Sequence, residues 1–280
     1  IRRIHDFLDL EQKRYDAGRV EFVLTPTAKE IITVCELART RQDISLIWGP
    51  SQIGKTWALH HYHQRCAPGS TIYVEIDPAC GVAGLVSNLA RASGVRDRLA
   101  TRQTYERLKS AWSPNTLIIV DEAHLLDITQ RRQTFLTCVE MLRRLHDHSR
   151  CGMVLAWTHI DGLLAASHRE LMQVWRRAVH RVSLPLMPTR EDIRAILRTH
   201  ALDFPTRNQS VTLAASPDQS YSPYNVLRKL AHSDGLHAIT ERLRYAQDLA
   251  ARSGAKLSWT HFVEAHLRIE KQIEPKATWS

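Results

Sequence analysis

The chain reads as an α/β protein: a parallel sheet of five strands covered by helices, followed by a small helical unit. Three observations predict this. From about Thr25 to Pro188, short apolar and β-branched runs alternate with stretches of helical periodicity, which is the rhythm of repeated βαβ units. The first such run, Leu46-Ile47-Trp48, leads into Gly49-Pro50-Ser51-Gln52-Ile53-Gly54-Lys55-Thr56, a G-x-x-x-x-G-K-[ST] sequence that belongs between a buried strand and a helix N-terminus. Past Pro188 strand signals stop and helical ones continue.

Taken in order, residues 1–24 form a mixed N-terminal arm, with a basic start at Arg2 and Arg3 and an apolar patch at Phe7, Leu8 and Leu10. Thr27 with Glu30 three residues on has the capping-box pattern of a helix start, and Ile31, Ile32, Cys35 and Leu37 give that helix its apolar side. After the glycine-rich loop a helix runs to about Cys66, and Pro68-Gly69 turns the chain into a second strand at Thr71–Ile76. A helix over about Val82–Ala92 follows, then a charged segment from Arg96 to Trp112, helical in its second half. Thr116–Val120 is a third strand whose continuous apolar run suits burial on both faces. Phe135, Val139, Leu142 and Leu145 mark a long amphipathic helix from about Thr129 to His146.

Strand four spans Met153–Thr158, and strand five Arg181–Met187, with a helix ending in Trp175-Arg176-Arg177 between them. The remaining chain predicts helices at Glu191–His200, Val226–His232, His237–Arg252 and Trp259–Gln272, separated by a polar loop around Asn208–Tyr224. The division that results is an arm at 1–24, a core at 25–188, and a helical unit with its tail at 189–280.

Composition is that of an ordinary globular chain, 44% hydrophobic and 24% charged. No apolar run reaches membrane-span length and no signal-peptide pattern opens the chain, so no membrane association and a cytoplasmic location are expected. The five cysteines are scattered and never in C-x-x-C spacing, which predicts reduced, mostly buried thiols. His60, His61 and His63, and His146-Asp147-His148, lack a Cys or a second cluster at ligand spacing, so they predict packing and not a metal site. The net charge of +9 favours a polyanionic partner through salt-dependent attraction to phosphates.

The loop sequence carries its own chemistry. Gly49 and Gly54 let the main chain turn tightly, so that the backbone of Gly49, Pro50, Ser51, Gln52, Ile53, Gly54, Lys55, Thr56 and Trp57 wraps one anion at a helix N-terminus, every residue except Pro50 carrying an N–H to offer it. Lys55 reaches β- and γ-phosphates, and the Thr56 hydroxyl coordinates Mg²⁺. Asp121-Glu122 closes the third strand, the Walker B arrangement in which Asp121 holds Mg²⁺ and Glu122 polarises the attacking water. ATP with Mg²⁺ is the expected cofactor pair, and hydrolysis of ATP the expected activity.

Five strands, an acidic pair on the third and a helical tail make the chain resemble the AAA+ ATPases, a P-loop core with a helical lid. That resemblance implies that Thr158, with His159 as second choice, is a polar sensor of the γ-phosphate. It implies equally that Arg177, or its neighbour Arg176, is an arginine finger acting on an adjacent subunit. The lid helix departs from the family pattern: Asp234-Gly235-Leu236-His237-Ala238-Ile239 has no Arg at the second-sensor position, leaving Arg242 or Arg244 as substitutes.

Within the AAA+ proteins, the likeness over about 20–272 is to transposition regulators of the Mu B, TnsC and TniB kind. It rests on Thr25-Pro26-Thr27, the loop spacing, Val120-Asp121-Glu122-Ala123-His124, Val154-Leu155-Ala156-Trp157-Thr158 and the ending from Gly235 to Ser258. Such regulators imply a ring or helical filament of copies on double-stranded DNA, bound without sequence preference, that recruits or stimulates a transposase. By the same resemblance the cations facing DNA come from Arg96, Arg98 and Arg102 after strand two and from the helix start Gln130-Arg131-Arg132, where Arg131 and Arg132 carry the charge. Two rival readings are an ATP-dependent switch or scaffold for a protein partner, as in secretion or phage defence, and a remodeller translocating on its substrate.

Overall fold

The computed structural model describes residues 22–78, 80–128, 132–160, 169–214 and 216–273. The arm at residues 1–21 and the candidates Gln130 and Arg131 lie outside the described residues.

The first helix, α1 (Pro26–Arg41), is capped by Thr25, whose hydroxyl accepts from the Ala28 N–H at 3.1 Å, with Pro26 in the first turn. The expected Thr27/Glu30 box is therefore corrected by two residues. Pro26, which lacks an N–H, suits the first helical position and selects the threonine before it. Thr27 is thereby free to bond elsewhere, and its N–H and hydroxyl donate to the two oxygens of Asp192 at 2.9 and 2.8 Å.

Five strands form the sheet: β1 (Ile44–Trp48), β2 (Thr71–Glu75), β3 (Leu117–Asp121), β4 (Gly152–Trp157) and β5 (Ala178–Ser183). Their order is β2-β3-β4-β1-β5 and every pairing is parallel. The intervening helices are α2 (Lys55–Arg65), α3 (Val82–Ala92), α4 (Thr101–Ala111), α5 (Leu125–Ile128), α6 (Arg132–Ser149) and α7 (Arg169–Arg177).

Alternation along each strand splits the core in two. Ile118, Val120, Met153 and Leu155 pack with Phe135 and Leu142 of α6 on one face. Leu117, Ile119, Val154 and Ala156 pack with Ile31 of α1 and Leu59 of α2 on the other. Central strands covered on both sides need apolar residues throughout, and β3 and β4 are buried at every position.

Strand five begins at Ala178 and ends at Ser183, not the expected Arg181–Met187. As an edge strand it exposes Val179, Arg181 and Ser183, and the polar His180, Arg181 and Ser183 deny it the continuous apolar run that marks the central strands.

Beyond it lie α8 (Arg190–Thr199), β6 (Val211–Leu213), β7 (Ser216–Tyr221), α9 (Pro223–Ser233), α10 (Gly235–Arg252) and α11 (Trp259–Ile273). The expectation of an all-helical unit is corrected by the antiparallel β6–β7 hairpin, whose apolar strand β6 is only three residues long and whose partner β7 is polar and contains Pro217. Leu197, Leu227, Leu230, Ile239, Leu243 and Phe262 build a third apolar cluster among these helices. A buried carboxylate ties the two parts. Asp192 caps α8 through the Thr189 N–H and hydroxyl at 3.0 and 2.7 Å while also holding Thr27 of α1.

All five cysteines are free thiols, and all but Cys66 are buried. Among the described residues no helix is long and apolar enough to cross a membrane.

Candidate functional site

Parallel strands send their loops out at one edge of the sheet, where ligands of open α/β folds bind. Here the loop after β1 leaves between β4 and β5. The Gly49 N–H donates to the Trp157 carbonyl at 3.2 Å, and a Cβ on Gly49 would lie 2.7 Å from the Leu184 Cβ. No larger residue fits without displacing that wall. Ile53 is buried and anchors the loop, so it offers only its main chain to a ligand, whereas Ser51 and Gln52 are exposed. Pro50 is half-buried, Gly54 immediately precedes α2, and Thr56 sits in its first turn.

Lys55 is buried, with Nζ donating to the carbonyls of Gly49 at 2.7 Å and Pro50 at 2.8 Å. Burial lowers its pKa, and the nearby Glu122 and Asp121 carboxylates work against that fall. The ammonium is thus held at the loop mouth, beside the acidic pair, with only neutral carbonyls as bonded partners.

Asp121 ends β3 and is fully buried. Its Oδ1 accepts the Glu122 N–H at 2.9 Å, and its Oδ2 accepts the Tyr73 phenol at 2.9 Å. The chain then turns left-handed at Glu122 (φ +53°), and the Ala123 N–H donates to the Ala156 carbonyl at 2.9 Å. This turn lifts the Glu122 side chain out of the sheet.

Burial raises the Glu122 pKa, and Asp121 raises it further, while Lys55 and a hydrogen bond with Thr158 hold it back. Thr158, buried just past β4, therefore touches the carboxylate expected to polarise water, whereas His159 is exposed. His124 Nδ1 lies 3.1 Å from Glu122 Oε2, and burial lowers the imidazole's pKa.

A cavity of about 340 Å³ opens beside the loop. Phe22 and Val23 from the N-terminal side, Gln52 and Trp57 from the loop and α2, and Leu236 and Arg244 from α10 contribute to its wall. Trp57 is exposed there despite its size. The Leu236 N–H donates to the Gln52 carbonyl at 3.2 Å, and Gly235, at φ +69°, makes room: a Cβ would meet that carbonyl at 2.8 Å. Of the two substitutes for a second sensor, Arg244 faces the cavity, paired with Glu241 at 3.3 Å. Arg242 instead bonds the Ala238 carbonyl of its own helix at 3.3 Å.

Arg177 ends α7, where its guanidinium donates to Asp147 of α6 at 2.6 Å, and Arg176 beside it is exposed. Arg96 and Arg98 are exposed on the α3–α4 connection, with Asp97 between them turned towards Ser87 at 3.2 Å. Arg102 is exposed in the first turn of α4, and Arg132 opens α6 with its side chain outside the described set.

The histidines set aside as ligands are used in packing. The His63 ring stacks against Tyr73 at 5.9 Å, with Nδ1 2.7 Å from the Thr71 hydroxyl, while the His60 ring meets Tyr73 edge-on at 5.2 Å and His61 stacks on Phe22. Sequence reasoning misses Tyr73 itself. A tyrosine in a β-strand is ordinary, and nothing in its spacing points to Asp121.

Residues 38–164 match the AAA domain family. In sequence the chain is similar to the Mu-like prophage FluMu DNA transposition protein B of Haemophilus influenzae, 24% identical over 85% of this chain and 75% of that protein. It is also similar to the ATP-dependent target DNA activator B of Escherichia phage Mu, 29% identical over 49% of this chain and 42% of that one. In structure it is similar to the ORC2 protein of Aeropyrum pernix, with a TM-score of 0.62, 16% identity and coverage of 92% of this chain and 71% of that one. It likewise resembles a Walker-type ATPase of Pyrococcus abyssi, with a TM-score of 0.55, 13% identity and coverage of 87% and 72%.

Proposed function

For a chain with an AAA+ core that resembles the Mu B transposition proteins, we propose an ATP-dependent, DNA-binding regulator of transposition. It assembles with copies of itself on double-stranded DNA, hydrolyses ATP, and recruits or stimulates a transposase at target DNA. The observation that carries the reading is the convergence of Lys55, Asp121, Glu122 and Thr158 at one end of the sheet, beside a cavity the lid completes.

The cavity takes the nucleoside and the Gly49–Thr56 main chain takes the phosphates, with Lys55 exchanging its loop carbonyls for phosphate oxygens. Trp57 and Arg244 border the nucleotide. The Thr56 hydroxyl and the Asp121 carboxylate are hard oxygen donors of the kind Mg²⁺ prefers, and they are the residues that would hold it. When bound, Mg²⁺ neutralises charge developing on the phosphates. Glu122 accepts the proton of the attacking water, and its raised pKa makes it a better acceptor. Thr158 fixes that carboxylate's position, and Arg177, released from Asp147, reaches a neighbouring subunit's phosphates. Phosphate attraction without base readout falls to Arg96, Arg98, Arg102, Arg131 and Arg132.

The test is fluorescence anisotropy of a random-sequence DNA duplex with ATP, with ADP and without nucleotide, at two salt concentrations. ATP-dependent binding that weakens steeply with salt is expected. Absence of DNA binding in every condition would overturn the transposition reading and leave a nucleotide switch for a protein partner.

A further inference from the structure

Resting on the nucleotide-site reading above, we infer that Tyr73 is a positioning residue for the magnesium-holding carboxylate, and that it joins the helix after the phosphate loop to the acidic pair. Asp121 is fully enclosed, and its two oxygens are each fixed by one donor. The donor to Oδ1 is the next residue's main-chain N–H, which any sequence supplies. The donor to Oδ2 is a side chain, the Tyr73 phenol on the adjacent strand. With one donor on each oxygen the carboxylate cannot rotate about its Cβ–Cγ bond, so its remaining lone pairs point in one fixed direction. A hard, octahedral cation demands such directional oxygen ligands.

The phenol is itself held. His63 stacks on one face of the Tyr73 ring and His60 meets it edge-on, both from α2, the helix that begins with Lys55 and Thr56. His63 is in turn fixed by Thr71, two residues before Tyr73 on the same strand. A contiguous set of Thr56-bearing helix, His60, His63, Tyr73 and Asp121 thereby places the two expected magnesium ligands, one on α2 and one on β3, in register with each other. This is a use for the histidine cluster that neither a metal nor the phosphate loop requires.

Tyr73→Phe keeps the ring, and so keeps the histidine packing, while removing only the donor to Oδ2. Fluorescent-nucleotide binding titrated with Mg²⁺ should show the half-saturating Mg²⁺ concentration rising about tenfold, which corresponds to about 1.4 kcal/mol. Binding of the nucleotide without Mg²⁺ should be unchanged. Turnover at saturating Mg²⁺ should fall through kcat with KM for ATP little altered. A Tyr73→Phe protein with the wild-type Mg²⁺ dependence overturns the inference while leaving the nucleotide site standing. A wild-type protein that shows no Mg²⁺-dependent nucleotide binding overturns the site reading and the inference with it.

Discussion

Replacing Asp192 by Ala should be among the most destabilising single changes in the chain. The carboxylate is fully buried and accepts from the Thr27 and Thr189 main-chain N–H groups and from both threonine hydroxyls. Hydroxyls can rotate to new acceptors, but the two amides cannot re-aim. The buried Thr27 amide left without an acceptor costs about 1–3 kcal/mol and the half-buried Thr189 amide less, so the pair costs about 2–5 kcal/mol. Relief of the buried charge offsets part of this, and about 3 kcal/mol is the expected loss. At about 2–4 °C per kcal/mol for a chain of this size, the melting temperature should fall by about 6–12 °C. Asp192→Asn retains one acceptor oxygen and turns an NH₂ towards the other amide, so it should lose about half as much. Circular dichroism melts at pH 7 measure both variants. A fall of less than about 3 °C for the Ala variant would refute the view that this carboxylate ties the sheet's first helix to the lid.

Acid should expose the same tie. Burial pushes the Asp192 carboxyl up, but the donors around it win and hold its pKa below the ordinary 3.8, and the Arg143 hydrogen bond, against the opposing pull of burial, holds Glu140 down at about 2. Both groups are depressed in the folded state, so their stabilisation is present above the unfolded values and is lost as pH falls through the folded ones. Melting temperature should therefore decline as pH falls from about 4.5 towards about 2, and the decline should be shallower in Asp192→Asn; equal slopes would contradict the assignment. Gly235→Ala forces a left-handed alanine, at about 1–2 kcal/mol, and drives a Cβ against the Gln52 carbonyl. Nucleotide affinity read from Trp57 fluorescence should weaken about tenfold, and unchanged affinity would separate the lid from the loop. Lys55→Ala should abolish ATP-dependent assembly. Glu122→Gln should bind ATP yet turn over about a hundredfold more slowly or worse, leaving assemblies that sedimentation shows to persist; wild-type turnover would remove Glu122 from its role.

What could be read from the sequence follows from what is local. The Lys55 loop and the Asp121-Glu122 pair each sit at the end of an apolar run, and their chemistry is written in consecutive residues. Thr158 comes instead from the family resemblance, which points to a polar residue at the end of the fourth strand. The cavity is not legible, because its walls come from Phe22, Trp57 and Leu236, which only the folded chain brings together. Tyr73 and Asp121 meet because β2 lies beside β3, a fact of strand order that no spacing encodes. At α1 the signal is present but points two ways: Thr25 and Thr27 are both good caps, and Pro26 decides between them. In the β6–β7 hairpin only Val211 and Leu213 of the three-residue β6 turn inward, and β7 is polar and largely exposed, so the alternation is too short to mark a strand in the sequence.

The ion pair between Arg177 and Asp147 bears on how firmly copies of this chain would hold one another. A cation that already has a counter-ion at home brings to a neighbour only the difference between two pairings. For partly exposed groups each pairing is worth about 0–1 kcal/mol, so the difference is small until a phosphate competes for the guanidinium. Under the proposed role of Arg177, an interface balanced in this way would stay weak between nucleotide-free subunits. It would also have a resting place for the arginine once the γ-phosphate is gone, so assembly and release would follow the nucleotide instead of a slow unbinding of tightly matched surfaces.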